Sequence, residues 1–178
     1  VPDPVFTTVL SLSFALLWFI ACWQKLTAFE SFAATLADYR IVPAVLVYSC
    51  SVLVTAVEFL IAVGLTVPST RAAALVGTAA LVLVYALAIG VNLLRGRRHI
   101  DCGCMGPALR QSLSGWLIVR NLVLAAVALS AIAASARAFV WLDMVTIAGG
   151  VVVLAFAYSA INRLIANAPE LTRLRNRT

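Results

Sequence analysis

Five apolar stretches decide what this chain can fold into. They cover about residues 5–26, 42–67, 72–94, 116–136 and 139–165, and each has at least 20 residues. At about 1.5 Å of rise per residue, each can cross a hydrocarbon core roughly 30 Å thick. A backbone in lipid must satisfy its polar groups within the segment, and the stretches lack the alternation of a barrel strand. The sequence therefore predicts an all-α integral membrane protein, a single transmembrane domain over 1–178 built as a bundle of about five helices. Composition agrees: 63% of residues are apolar and 11% charged, against about 25% charged in an average globular domain. The first stretch reads as a retained helix. It has no basic lead-in, and Gln24-Lys25 stands where a signal peptide would carry small residues for cleavage. The tail after Ile165 is polar and basic, and reads as a surface segment.

A net charge of +6 raises the question of nucleic acid, and position decides against it. With five crossings the connections alternate sides. One side receives Lys25, Arg40, Arg95, Arg97, Arg98, Arg110, Arg120, Arg163, Arg173, Arg175 and Arg177, the other Arg71 and Arg137. This positive-inside asymmetry puts the N-terminus outside and the C-terminus in the cytoplasm. The partner of the basic charge is then the lipid bilayer and its anionic headgroups, with no nucleic acid implied.

The four cysteines share a side. Cys22 is near the end of the first helix, Cys50 near the start of the second, and Cys102 and Cys104 follow the third, in the loop 95–114. Alternation brings all of them to one half of the membrane, whichever way the chain inserts. Cys22 and Cys50 lie roughly 6 Å and 12 Å below that boundary. They can meet beneath the loop if their helices are neighbours. A single cysteine in an apolar helix is ordinarily just a small hydrophobe. A polar loop gives Cys102 and Cys104 no such packing reason, and Gly103 between them keeps the backbone open. Two cysteines one residue apart close a small, labile disulfide suited to exchange. Arg95, Arg97 and Arg98 favour the attacking thiolate, and Asp101 opposes it.

Three functions compete for this loop. The first is a membrane thiol–disulfide oxidoreductase, with Cys102/Cys104 exchanging and Cys22/Cys50 as an internal pair. The second is a soft-metal transporter or chaperone using Cys102, Cys104 and His99. Three ligands in one short loop make a poor closed site, and the helices carry no string of Met, His or Asp along a path. The third is a non-catalytic assembly factor whose loop docks a soluble partner.

Glu58 is the acid deep inside a stretch, so it must face the bundle interior and find a partner. It is a proton carrier or an interhelical hydrogen-bonding group. Asn92, Arg120, Asn121 and Lys25 lie on the cysteine side and are expected to form a polar shelf beside the thiols, or to serve as a snorkelling arginine and interhelical amides. Gly77, Ala80, Ala125 and Gly149 suit close helix packing. Trp18, Trp23, Trp116 and Trp141 read as interface anchors.

The segments KLTAFESFAATLADYRIVP (25–43) and NLLRGRRHIDCGCMG (92–106), Glu58, and the pair Arg120-Asn121 resemble the MauE family of methylamine-utilisation membrane proteins, which is related to the DoxX-like proteins. The resemblance covers roughly residues 20 to 125. Its most specific part is Asp-Cys-Gly-Cys-x-Gly, with Met105 where Phe is commoner. It implies a maturation factor of the bacterial cytoplasmic (inner) membrane. Such a factor works with a thioredoxin-like, MauD-like partner and indirectly serves the disulfide-rich small subunit of amine dehydrogenase. By matching motif positions Cys102 and Cys104 inherit the redox role, while Cys22 and Cys50 rest on the parity argument. No cofactor is implied with certainty; a quinone is a terminal acceptor by analogy with other membrane thiol oxidases. The basic count places the thiols at the cytoplasmic face, whereas the family's client is periplasmic. Either electrons cross the membrane, or the topology is inverted.

Overall fold

A computed structural model describes residues 3–97, 100, 102, 112–132 and 140–175, with side chains through Leu164. Its long helices are α1 (Pro4–Thr27), α3 (Val47–Thr66), α4 (Arg71–Leu94), α5 (Gly115–Ser130) and α6 (Trp141–Arg175). A shorter α2 (Phe29–Asp38) lies between α1 and α3, and a 3₁₀ turn (Ala44–Leu46) leads into α3. Among the described residues the architecture is all-α, as the apolar stretches require. Four helices are long and apolar enough to cross a membrane, the apolar part of α6 being Trp141–Leu164. The fifth, α5, has 16 residues, a rise of about 24 Å. It ends six residues short of the 136 that hydropathy suggests.

Local chemistry sets the ends. Asp3 caps α1 by accepting a hydrogen bond from Val5 N at 2.8 Å, with Pro4 at the first position, where its missing N–H costs nothing. Pro43 starts the turn into α3. Thr70 closes the α3–α4 turn by donating its hydroxyl to Gly64 O at 2.8 Å. Gly96, at φ 75°, ends α4 in the left-handed conformation that glycine adopts without strain. Inside the bundle, hydroxyls return to their own helix. Ser11 donates to Thr7 O, Ser51 to Val47 O and Thr55 to Ser51 O. No hydroxyl among these three is left for lipid to satisfy.

The element that hydropathy missed is α2, read as plain connection. Phe29, Phe32, Ala33 and Leu36 recur at helical spacing and are half-buried, while Glu30, Ser31, Ala34, Ala37 and Asp38 face outward. This is the pattern of a helix lying along the interface. It is too short and too polar to register in a search for 20-residue apolar runs.

Helix α1 is central, packed on α3, α4 and α6. It runs antiparallel to α3, so Phe19 meets Phe59 at 6.1 Å and Cys22 lies over Thr55. Close approach relies on small residues, though not on all those expected. A Cβ on Gly77 would sit 3.3 Å from Ile61, and Ala125 is buried. At α6, however, Gly150 rather than Gly149 carries the contact, its Cβ position 3.0 Å from Val9. Ala79 is buried where Ala80 is exposed. Trp18 corrects another expectation: it is 2% exposed and donates Nε1–H to Thr78 Oγ1 at 3.2 Å. It belongs to the core with Phe14, Leu65 and Leu75. Trp23, Trp116 and Trp141 are exposed near helix ends, where interface anchors sit. The outward faces carry Leu, Val and Phe, most densely on α6, as lipid contact requires.

Candidate functional site

The loop that follows α4 is tied down from three directions. Leu113 N donates to Ile100 O at 3.1 Å, joining its two ends. Tyr39, buried at the end of α2, donates its hydroxyl to the Cys102 carbonyl at 3.3 Å and packs with Ile89, Leu113 and Leu117. Arg95 donates to Arg40 O at 3.2 Å, and Arg97 to Asp38 O at a longer 3.5 Å. Those carbonyls close the C-terminal end of α2, where cations are favoured. Two of the three arginines expected to stabilise a thiolate, Arg95 and Arg97, thus hold the loop on the interfacial helix. Cys102 is half-buried in this cluster and disulfide-bonded. Cys22 and Cys50 are free thiols, so neither is its partner. Arg98, His99, Asp101, Gly103 and Cys104 lie outside the described residues. Among the described residues no three His, Cys, Asp or Glu side chains assemble.

Below the loop, Cys22 is 3% exposed and its thiol faces Thr55 O at 3.8 Å. Cys50 is on the same α3, five residues earlier and half-buried. Five residues move a side chain about 7.5 Å along the axis and about 140° around it. The parity expectation puts both thiols on one side of the membrane. The helix phase turns Cys50 away from the face that Cys22 packs against.

The expected polar shelf divides into two clusters. In the first, Glu58 is fully buried, and its Oε1 accepts from Lys25 Nζ at 2.5 Å and from Tyr85 Oη at 2.5 Å. Lys25 is 5% exposed, with its ammonium 5.0 Å from the Phe32 ring and 5.7 Å from that of Tyr85, within cation–π range. Glu58 Oε2 is buried without a hydrogen bond. Cys22 is one turn before Lys25 on α1 and faces Thr55, one turn before Glu58 on α3, so the thiol belongs to the same α1–α3 contact as this ion pair.

In the second cluster, Arg120 on α5 donates Nη1–H to Asn162 Oδ1 on α6 at 3.1 Å and Nη2–H to Asn121 Oδ1 at 3.3 Å. Asn162 donates in turn to Tyr158 O at 2.9 Å. Asn92 joins neither cluster by a hydrogen bond; its amide N–H donates to Ala88 O at 3.0 Å within α4. Sequence reasoning passed over Tyr39, Tyr85 and Asn162. Tyrosine is unremarked in an apolar helix, and one amide in α6 lacks the cost signal that an acid such as Glu58 gives.

The comparisons with known proteins agree with one another. The family described as "Methylamine utilisation protein MauE" matches residues 3–134, which include the loop and both polar clusters apart from Asn162. The chain is 39% identical over 128 residues to methylamine utilization protein MauE of Paracoccus denitrificans, covering 72% of this chain and 69% of that protein. The corresponding protein of Paracoccus versutus is 34% identical over 180 residues, covering 98% and 97%. That of Methylophilus methylotrophus is 37% identical over 130 residues, covering 72% and 68%. No solved structure matches the chain.

Proposed function

The chain belongs to the MauE family of methylamine utilisation proteins, and from that premise we propose that this multi-pass membrane protein exchanges disulfides with a thioredoxin-like partner. The observation that carries the reading is a disulfide-bonded Cys102 in the loop after α4, with two free thiols, Cys22 in α1 and Cys50 in α3. Its proposed partner is Cys104, the remaining cysteine of the four. A thiolate of the MauD-like protein attacks one loop sulfur, which breaks the loop disulfide and forms a mixed disulfide. The second thiol of that protein then displaces the loop cysteine. The partner leaves oxidised, and the loop is left as a dithiol holding two electrons and two protons. The partner oxidised in this way serves disulfide formation in the small subunit of amine dehydrogenase only indirectly, because the basic count puts the loop on the cytoplasmic face and that client is periplasmic. A membrane quinone, reduced to quinol, is the class of acceptor that balances re-oxidation of the loop.

Glu58 supports this reading as a buried carboxylate one turn along α3 from Thr55, whose carbonyl the Cys22 thiol faces. Orientation follows the basic count. Setting aside Lys25, Arg95, Arg97 and Arg120, whose cations are occupied in the bonds above, the cysteine side keeps seven basic residues against Arg71 and Arg137. The proposal is therefore an outside N-terminus and a cytoplasmic C-terminus in the cytoplasmic (inner) membrane.

The test is differential alkylation with mass spectrometry on native membranes quenched in acid, with a variant of the thioredoxin-like partner whose second, resolving cysteine is serine to trap the mixed disulfide. The expected result is a reducible Cys102–Cys104 bond in the wild type and a covalent adduct of the loop with the partner variant. Full dehydrogenase maturation in cells carrying Cys102→Ser and Cys104→Ser together would overturn the reading and leave a docking role.

A further inference from the structure

The Arg120 cluster is built for a ligand that the protein does not itself provide. Arg120 is 9% exposed, Asn121 2% and Asn162 1%. Both bonds of the guanidinium go to neutral amide oxygens, and no described carboxylate reaches it. The nearest buried acid system, Glu58, is taken up by Lys25 and Tyr85. A guanidinium without a counter-charge in the membrane half is costly, and an anion offsets that cost. Two donors are left unpaired on these neighbouring residues: Arg120 Nε and Asn121 Nδ2 are buried without hydrogen-bond partners. A planar guanidinium edge extended by an amide N–H is a donor set suited to the oxygens of a phosphate.

Position identifies the source of the phosphate. Arg120 is five residues from the start of α5, about 7.5 Å down the axis. Trp116, 44% exposed, marks the interface at that end. The residues on either side face lipid: Val119 is 46% exposed, Leu122 49%, Ile161 48% and Leu164 66%. The Arg120–Asn162 bond bridges α5 and α6 just behind this apolar, exposed surface, within two turns of the end of α5 that Trp116 marks. Basic pockets between transmembrane helices hold anionic lipid headgroups elsewhere.

We propose that Arg120, Asn121 and Asn162 form a phosphate site that holds the headgroup of an anionic phospholipid between α5 and α6. The site lies one turn below Leu117, which packs beside Cys102, so the bound lipid would brace the floor of the loop. This inference does not depend on the exchange reading.

Native mass spectrometry of the full chain in neutral detergent, titrated with phosphatidylglycerol, tests it, with inorganic phosphate as competitor. The expected result is one tightly held phosphatidylglycerol, bound roughly tenfold more weakly by Arg120→Gln. Arg120→Lys should recover only part of that loss, because it keeps the charge and loses the fork. Asn121→Ala should weaken binding by a smaller factor and serves as the second variant if Arg120→Gln does not fold. Equal affinity in folded Arg120→Gln overturns the site. Displacement of the lipid by an equal concentration of inorganic phosphate overturns the lipid as its occupant.

Discussion

Lys25 turns into the bundle, and its Nζ meets Glu58 Oε1 at 2.5 Å. The antiparallel register of α1 and α3, with Phe19 on Phe59 and Cys22 over Thr55, sets Lys25 opposite residues 52–53. The Cα atoms of Lys25 and Glu58 are thus offset by about a turn and a half along the axis, a gap that the two side chains close together. A lysine two residues from a helix end ordinarily snorkels outward to the headgroups. Here side-chain direction explains the reverse. Cα–Cβ bonds tilt toward each helix's own N-terminus, so in an antiparallel pair Lys25 leans down and Glu58 leans up.

Removing one member of this pair strands the other charge in a dry interior. Lys25→Met or Glu58→Gln alone should cost about 3–5 kcal/mol. The double variant Lys25→Met, Glu58→Gln should recover much of that loss, because no unpaired charge remains. Unfolding of the detergent-solubilised protein, followed by circular dichroism across the four-member cycle, measures the coupling. Additive single effects would mean that the pair is not a unit.

The packing of α6 gives a sharper test because two adjacent glycines differ. A Cβ at Gly150 would lie 3.0 Å from Val9 Cγ1, whereas one at Gly149 meets nothing within 4 Å. Gly150→Ala should therefore destabilise the bundle by about 1–3 kcal/mol, and Val9→Ala should rescue it. Gly149→Ala should be neutral or slightly stabilising, since alanine is the better helix former. Thermal unfolding of the wild type and these three variants decides the matter. A Gly149→Ala loss as large as that of Gly150→Ala would place the α1–α6 contact elsewhere.

Much of this architecture was legible because lipid is a demanding solvent. Backbone satisfaction and hydropathy located the long helices, and the cost of a buried acid marked Glu58 as paired and inward-facing. Pairing geometry was not legible. Lys25 and Arg120 both read as part of one shelf, but register and rotamer separate them into an ion pair and an amide-bound cation. Nor could spacing choose Gly150 over Gly149, since neighbouring residues on a helix differ by about 100° of phase, and only the position of Val9 settles it. The sequence likewise could not tell that Arg95 and Arg97 would be drawn to α2 carbonyls, because α2 itself fell below the length that hydropathy detects.

Tyr39 links α2 to the loop through its hydroxyl on the Cys102 carbonyl. Tyr39→Phe keeps the ring among Ile89, Leu113 and Leu117 and removes that bond, worth about 1 kcal/mol. The Cys102 disulfide should then be reduced several-fold faster by a small dithiol, while global stability changes little. Stopped alkylation time courses report the rate. An unchanged rate would mean that the hydroxyl does not control access to the sulfur.

The free thiols give a last prediction, which bears on both burial and sidedness. Cys22 is 3% exposed and lies against α3, while Cys50 is half-buried. A small membrane-permeant maleimide should therefore modify Cys50 first and reach Cys22 only on unfolding. In intact cells treated with a mild reductant, a membrane-impermeant maleimide should leave Cys102 unlabelled, because the basic count puts the loop in the cytoplasm. Opening the cells should then expose it. Labelling from outside would reverse the orientation and put the loop in the compartment of a periplasmic partner. The parity argument puts all four cysteines in one half of the membrane, and on that reading thiol exchange alone has no sulfur with which to reach the other side. The side on which Cys102 labels is therefore the side on which its partner must work.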